Sequence, residues 1–234
     1  MRVKKIASLL LLSLALHAQP MAASEHHAAA SVAPDHALEL LLEGNKKFAQ
    51  QGMVKHLDQM ASVKRRTELA KGQQPFAVII ACSDSRVSPE ILFNKGLGEI
   101  FVIRVAGNIV GPHELGSVEY AVEHLGTKLV MVLGHERCGA VTATYNAHLA
   151  GSKAEGNLGS LVEAIDPAVT TTLANGAKCQ KEEIIDQCIH ENVHFVAAQI
   201  EARSPILKEA VEKGSIKIVK AYYDLDNGKV SIFK

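Results

Sequence analysis

Two short segments of the chain combine residue types that bind metal ions. The first is Cys82-Ser83-Asp84-Ser85-Arg86, and the second, about fifty residues later, is Gly134-His135-Glu136-Arg137-Cys138-Gly139. A single buried cysteine is usually a small core residue. Two thiolates and one imidazole with an open fourth position, however, form a recognised catalytic zinc pattern. Cys82, His135 and Cys138 therefore predict a zinc site at which water can be activated.

Asp84 and Arg86 follow the first of these cysteines in the same short segment. Two residues apart in a loop, they can point together and form a charge-assisted pair. An ordinary surface pair of this kind contributes little to stability. Because the Asp84–Arg86 pair lies beside a candidate metal ligand, we expect it to be catalytic. A carboxylate next to an open metal position can also bind the metal, so Asp84 is a candidate fourth ligand in a closed, inactive state.

Three apolar segments of strand length must position these residues: 76–81, 99–105 and 128–133. They lack polar alternation and are separated by helical patterns, which favours a parallel sheet buried on both faces. In such a sheet the carboxyl ends of the strands meet where ligands bind. Cys82 follows the first strand and His135 follows the third. We therefore expect a single α/β domain with a mostly parallel central sheet flanked by helices.

The remaining patterns extend this prediction to the end of the chain. Helices are predicted from Asp35 to about 51, and over 57–71, 113–125, 138–149, 158–174 and 180–212. A strand over 216–219 is followed by a predicted hairpin with its turn at 226–228.

The overall composition excludes some classes of protein. Lys and Arg number 25, as do Asp and Glu, so the net charge is zero and nothing points to nucleic-acid binding. Hydrophobic residues make up 47% of the chain, which is enough for a core, and with no Trp and 6 Phe that core must be largely aliphatic.

The amino-terminal segment is typical of a secretory signal. A basic start is followed by the apolar stretch Ile6 to Leu16, which is shorter than the roughly 20 residues of a membrane span. We predict a signal peptide over 1–23, a flexible leader over 24–33 and a catalytic domain over 34–234. The mature protein is expected to be exported to a bacterial periplasm without a stable membrane anchor.

The spacing of the two metal-binding segments resembles that of the β-class carbonic anhydrases. Segments 72–73, 99–108 and 119–122 are also similar to that family, and the similarity extends from about residue 35 to the end. The resemblance implies a β-carbonic anhydrase-like fold and one Zn²⁺ per chain, held by Cys82, His135 and Cys138. It also implies reversible hydration of CO2 to bicarbonate and a proton, by attack of zinc-bound hydroxide on CO2 in an apolar pocket.

The same resemblance implies a substrate pocket and an assembly. Members of the family are dimers or assemblies of dimers, in which residues such as Gln73 and Tyr120 serve the neighbouring subunit's site. The residues expected on the substrate side are Gln73, which hydrogen-bonds near the substrate, Phe101, Ala106 and Tyr120, which line the CO2 pocket, and Gly139, whose N–H at a helix start is available to an anion.

Other functions remain open from the sequence. The same residues also fit a related hydrolase acting on COS or CS2, a non-catalytic zinc scaffold, and a redox protein using Cys82 and Cys138 as a thiol pair.

A second motif competes with this site. The segment 190–194 matches the H-E-x-x-H zinc-protease motif. Its histidines are expected on the polar side of a helix, away from the apolar stripe, with Glu212 as a third ligand by spacing only. A disulfide between Cys179 and Cys188 is left open. An oxidising compartment favours it, whereas a continuous helix would hold the two sulfurs too far apart, so the bond needs a bend or loop near Gly176.

Overall fold

The computed structural model describes residues 31–51, 57–176 and 180–233. Five strands form one sheet: β1 (Ala77–Ala81), β2 (Ile100–Arg104), β3 (Leu129–His135), β4 (Lys217–Tyr223) and β5 (Val230–Ile232). Their spatial order is β2-β1-β3-β4-β5, with the first four parallel and β5 antiparallel to β4. The predicted α/β class and the carboxyl-terminal hairpin are confirmed.

Helices cover both faces of this sheet. They are α1 (Pro34–Gln51), α2 (Leu57–Met60), α3 (Val63–Leu69), α4 (Pro89–Leu92), α5 (Pro112–Leu125), α6 (Gly139–Ala150), α7 (Leu158–Ala174), α8 (Lys181–Arg203) and α9 (Pro205–Glu212). The helix predicted over 57–71 is two helices, and the one predicted over 180–212 breaks at Ser204. The second break has a clear cause, because Pro205 has no N–H and Ser204 Oγ accepts the Leu207 N–H to start a new helix.

The central strands are buried on both sides, as their unbroken apolar pattern predicts. Alternate residues of β1 point to opposite faces: Ile79 packs in one core with Leu41 of α1, and Ile80 in the other with residues of α5 and α8. Every residue of β1 and β3 is buried. The sheet is therefore a rigid platform for the loops at its ends.

The connections of this sheet open a crevice at its carboxyl edge. From β1 the chain passes to β2 on one side, and β3 then returns to pair with β1 on the other side. Because the loops after β1 and β3 leave in opposite directions, a gap forms between them, which is where open α/β sheets bind ligands.

Some predictions fall on residues that are not described. The signal peptide over 1–23 and most of the leader lie outside the described ranges, as does Cys179. Within the described ranges, no helix is both long enough and apolar enough to span a bilayer.

Candidate metal centre

Cys82, His135 and Cys138 meet at the carboxyl ends of β1 and β3. One potential ligand atom from each residue lies within 4.8 Å of the other two, and the two Sγ atoms are 4.0 Å apart. All three side chains are buried, with exposures of 4%, 0% and 1%. The predicted convergence of the two segments is confirmed.

The ring of His135 is oriented with one nitrogen free. Its Nδ1 lies 2.9 Å from the Glu136 carbonyl oxygen, and because a carbonyl only accepts, Nδ1 carries the proton. Its Nε2 is buried and has no hydrogen-bond partner among the described residues. A buried ring nitrogen without another partner, on an imidazole held by a backbone bond on its other side, fits the usual pattern of a metal ligand.

The two thiols share a site that favours negative charge. The pKa of Cys82 is lowered, first by the hydrogen bond from the Cys138 thiol and then by the neighbouring His135 ring and the Gly107 N–H. The same thiol pair and burial raise the pKa of Cys138, whose sulfur also accepts backbone N–H groups of Val141 and Ala140. One thiolate is thus favoured without a metal, and a divalent cation would stabilise both.

Backbone groups next to β2 complete the surroundings of Cys82. The Gly107 N–H points at Cys82 Sγ over 3.3 Å from the 3-10 turn Ala106–Asn108. Arg104 donates to the carbonyl oxygens of Cys82 and Asp84 at 3.1 and 2.7 Å. The sequence predicted neither contact, since each depends on how β2 pairs with β1.

Asp84 and Arg86 form the predicted pair. Arg86 Nε and Nη2 donate to Asp84 Oδ1 and Oδ2 at 2.9 and 2.7 Å, and the Arg86 backbone N–H also bonds Oδ1. These bonds hold the Asp84 pKa well below its usual range, and the neighbouring His135 ring adds to the effect. Asp84 Oδ2 is 3.9 Å from His135 Nε2, so the ionised carboxylate lies beside the three ligand atoms while Arg86 holds it.

The predicted substrate residues divide between the two ends of the sheet. Ala106 and Gly139 lie at the carboxyl edge, in the turn beside Cys82 and at the first position of α6. Gln73 precedes β1, so the length of that strand, about 16 Å, separates it from Cys82 of its own chain. Phe101 is the second residue of β2, level with Val78.

Gln73 and Tyr120 line a common surface cavity of about 640 Å³. Both side chains are exposed, and the residues that line this cavity include none of the three metal-binding candidates. In one protomer, therefore, these two residues do not reach the cluster of Cys82, His135 and Cys138.

The competing H-E-x-x-H motif does not form a metal site in the described part of the chain. His190 Nε2 lies 3.5 Å from Asp186, and His194 Nδ1 lies 3.1 Å from Lys220 Nζ. Neither histidine belongs to a group of three clustered potential ligands. Both are partly buried rather than facing solvent as expected, because Phe233, after β5, packs against their rings.

A second group of potential ligands is acidic, and Arg137 pairs with two of its three carboxylates. Glu136, Asp224 and Asp226 cluster beside the hairpin. Arg137 bonds Glu136 and, through both terminal nitrogens, Asp226. This cluster is therefore an ion-pair network that ties the hairpin to the segment carrying His135 and Cys138.

Comparison with known proteins agrees with this geometry. A family model described as carbonic anhydrase matches residues 77–230. Carbonic anhydrase 2 of Mycobacterium tuberculosis is 40% identical over 84% of this chain and 91% of its own length. A β-carbonic anhydrase from Coccomyxa, solved in complex with acetazolamide, has a TM-score of 0.66 and 29% identity, with 84% of this chain and 86% of that chain covered. Tetrameric β-carbonic anhydrases of Sordaria macrospora share the fold, with a TM-score of 0.66, 22% identity and 85% and 97% coverage.

The Asp84–Arg86 pair leads to a testable prediction. Replacing Arg86 by Leu removes the side-chain donors that stabilise the carboxylate, so the pKa of Asp84 should rise by roughly 1–3 units. Carboxyl ¹³C NMR titration of the metal-free protein measures this shift. Arg137→Leu is the matched control, because that guanidinium pairs with Asp226 and Glu136. An Asp84 pKa equal in all three proteins would show that Arg86 does not control its ionisation.

Proposed function

This chain belongs to the β-carbonic anhydrase family, and we propose that it hydrates CO2 reversibly with one zinc ion per chain, held by Cys82, His135 and Cys138. The products are bicarbonate and a proton. The observation that carries the proposal is the buried meeting of these three side chains, with His135 Nε2 without a hydrogen-bond partner among the described residues. Two thiolates and an imidazole leave a fourth position for water, as catalytic zinc sites do.

The residues around this position suit attack on CO2. Zinc, when bound, would supply Lewis acidity that lowers the pKa of water to about 7. Asp84, kept ionised by Arg86, accepts a hydrogen bond from the attacking oxygen and turns its lone pair towards the CO2 carbon. Arg86 fixes the carboxylate through two side-chain bonds, so the acceptor is oriented before substrate arrives.

The substrate pocket is proposed to need two subunits. Gln73 is a strand's length from the cluster in its own chain, and it shares an exposed cavity with Tyr120. A second copy that packs on this surface would place its own Cys82 cluster against Gln73 and Tyr120. We therefore propose a homodimer, or an assembly of dimers, in which each pocket combines Ala106 of one chain with Gln73 and Tyr120 of the other. Phe101, a partly buried residue of the edge strand β2, is proposed to line the same pocket.

The chain is also proposed to act outside the cytoplasm. The support for this is the basic and apolar start of the sequence, and we propose that residues 1–23 are removed on export.

Expression of the full chain in a Gram-negative host tests this proposal. The protein should appear in the periplasmic fraction with a new amino terminus near residue 24, as determined by mass spectrometry. Intact protein retained with Met1 in the cytoplasm would contradict this.

Cys82→Ser is the first test of the activity. The change removes one thiolate ligand, so bound zinc and CO2 hydration should both be lost, as measured by metal analysis and stopped-flow assay at about pH 8.5. The unchanged protein should bind one zinc per chain.

The activity of the unchanged protein should be lower near pH 6 than near pH 8.5, because less hydroxide is then available to compete with the Asp84 carboxylate for the open position.

Cys188→Ser is the matched control for Cys82→Ser, since that thiol is buried but lies outside the cluster of three ligands. It should keep zinc and activity. Stoichiometric zinc without CO2 hydration would instead favour a scaffold, or a hydrolase acting on COS or CS2. A protein that holds no zinc would favour redox chemistry between the two sulfurs, which lie 4.0 Å apart.

Mixing two inactive variants tests the shared pocket. Gln73→Leu and Cys82→Ser should each be nearly inactive alone. If a pocket combines Cys82 of one chain with Gln73 of the other, random mixed dimers contain one intact site, so about a quarter of the full activity should return after the subunits exchange. No recovery, in a mixture shown by native mass spectrometry to contain mixed dimers, would place Gln73 in the pocket of its own chain.

A further inference from the structure

One residue of the unused H-E-x-x-H motif connects to the metal centre. Asn192, on α8, is completely buried, and its Nδ2 donates to the Gly107 carbonyl oxygen at 2.8 Å. The N–H of the same Gly107 points at Cys82 Sγ. Two hydrogen bonds therefore lead from the middle of α8 to a candidate zinc ligand.

We propose that Asn192 is a positioning residue for the metal centre, which holds the turn Ala106–Asn108 so that the Gly107 N–H meets the Cys82 sulfur. This inference rests on the proposed zinc site. Hydrogen bonds to a metal-bound thiolate restrict its orientation and tune its charge, so loss of such a partner weakens metal binding.

The turn has an unusual backbone. Gly107 has φ of 74° and Asn108 has φ of 46°, both in the left-handed region. Glycine adopts this conformation freely, and asparagine adopts it more readily than other residues with a side chain. The Asn108 side chain is buried with its Nδ2 unpaired among the described residues, so it does not stabilise the turn by its own hydrogen bond. The Asn192 amide supplies a bond from outside.

Space around the turn is also restricted. A Cβ on Gly107 would lie 2.5 Å from Ile165 Cδ1 of α7, so the peptide fits closely between its neighbours. The turn thus has a close steric contact with α7 on one side and a directional bond from Asn192 on α8. The Gly107 N–H is oriented by both.

The next residue of α8 reaches the other metal-binding strand. Val193 packs so closely on Gly134 that a Cβ at that glycine would overlap its Cγ2. Gly134 immediately precedes His135. Two consecutive residues of α8 therefore contact the backbone on both sides of the site: Asn192 at Gly107, next to Cys82, and Val193 at Gly134, next to His135. Asn192 can thus act on the site although α8 itself supplies no candidate ligand.

Metal release from the zinc-loaded protein tests the proposal. Asn192→Leu keeps the approximate volume but removes the donor to Gly107. Transfer of zinc to the chelator 4-(2-pyridylazo)resorcinol should become about 10- to 100-fold faster or more complete. In the cobalt-substituted protein the sulfur-to-cobalt charge-transfer band should shift, because the Cys82 sulfur has lost an oriented N–H.

Ser204→Ala, at the carboxyl end of the same helix, is the matched control. Ser204 is also completely buried and makes two hydrogen bonds, to Glu119 and from Leu207, about 18 Å along α8 from Asn192. Loss of the Ser204 hydroxyl should lower the melting temperature while leaving zinc release and the cobalt spectrum unchanged.

Asn192→Ser is a second test variant, used if Asn192→Leu does not fold. Its hydroxyl is too short to reach Gly107, so this variant should behave as Asn192→Leu does.

The outcomes separate this inference from the proposed function. One outcome is that the Asn192 variants release zinc no faster than the unchanged protein, and that their cobalt-substituted forms have the same charge-transfer band. In that case Asn192 is only a core residue, whatever the melting temperatures, and the inference is wrong. If Ser204→Ala shows the same metal phenotype, the effect is general destabilisation, and the inference is again wrong. If the unchanged protein binds no zinc, the proposed function itself fails.

Discussion

The parallel pairing of β1 with β3 is the constraint on which the site depends. Their register sets Ala81 beside Leu133, so the chain leaves both strands at the same edge and brings Cys82 to His135 and Cys138. A single-residue slip would turn the buried side chains of β1 to the opposite faces. The two cores, one on each face of the sheet, oppose such a slip, because each is built from alternate residues of these strands. The packing of the two cores thus determines how Cys82, His135 and Cys138 are placed relative to one another.

Two kinds of interaction then refine the site. The Asp84–Arg86 pair is local, formed within one loop, whereas the supports of the ligands come from distant parts of the chain. Gly107 reaches Cys82 from β2's side, and Asn192 reaches Gly107 from α8. The Asp84 carboxylate is thereby oriented by its near neighbour, while the candidate metal-binding atoms are oriented by the assembled fold.

This division explains what could be predicted from the sequence. The buried strands, the flanking helices and the meeting of Cys82 with His135 and Cys138 followed from apolar runs and from the rule for parallel sheets. The roles of Gly107 and Asn192 could not be predicted, because they depend on contacts between elements far apart in the chain. The partial burial of His190 and His194 was missed for the same reason. A helical pattern shows which side is apolar, but it does not show that Phe233 and the hairpin cover part of the other side.

The positions of the ligands along the chain have a consequence for folding. Cys82 and Cys138 are 56 residues apart, so an ion bound to both closes a long loop and acts as a reversible cross-link. Such a link removes more freedom from the unfolded chain than from the folded one, in the way a disulfide does. This role differs from that of a disulfide between the same two sulfurs. An ion held by both thiolates leaves them and His135 in place for chemistry, whereas a disulfide would consume the two sulfurs.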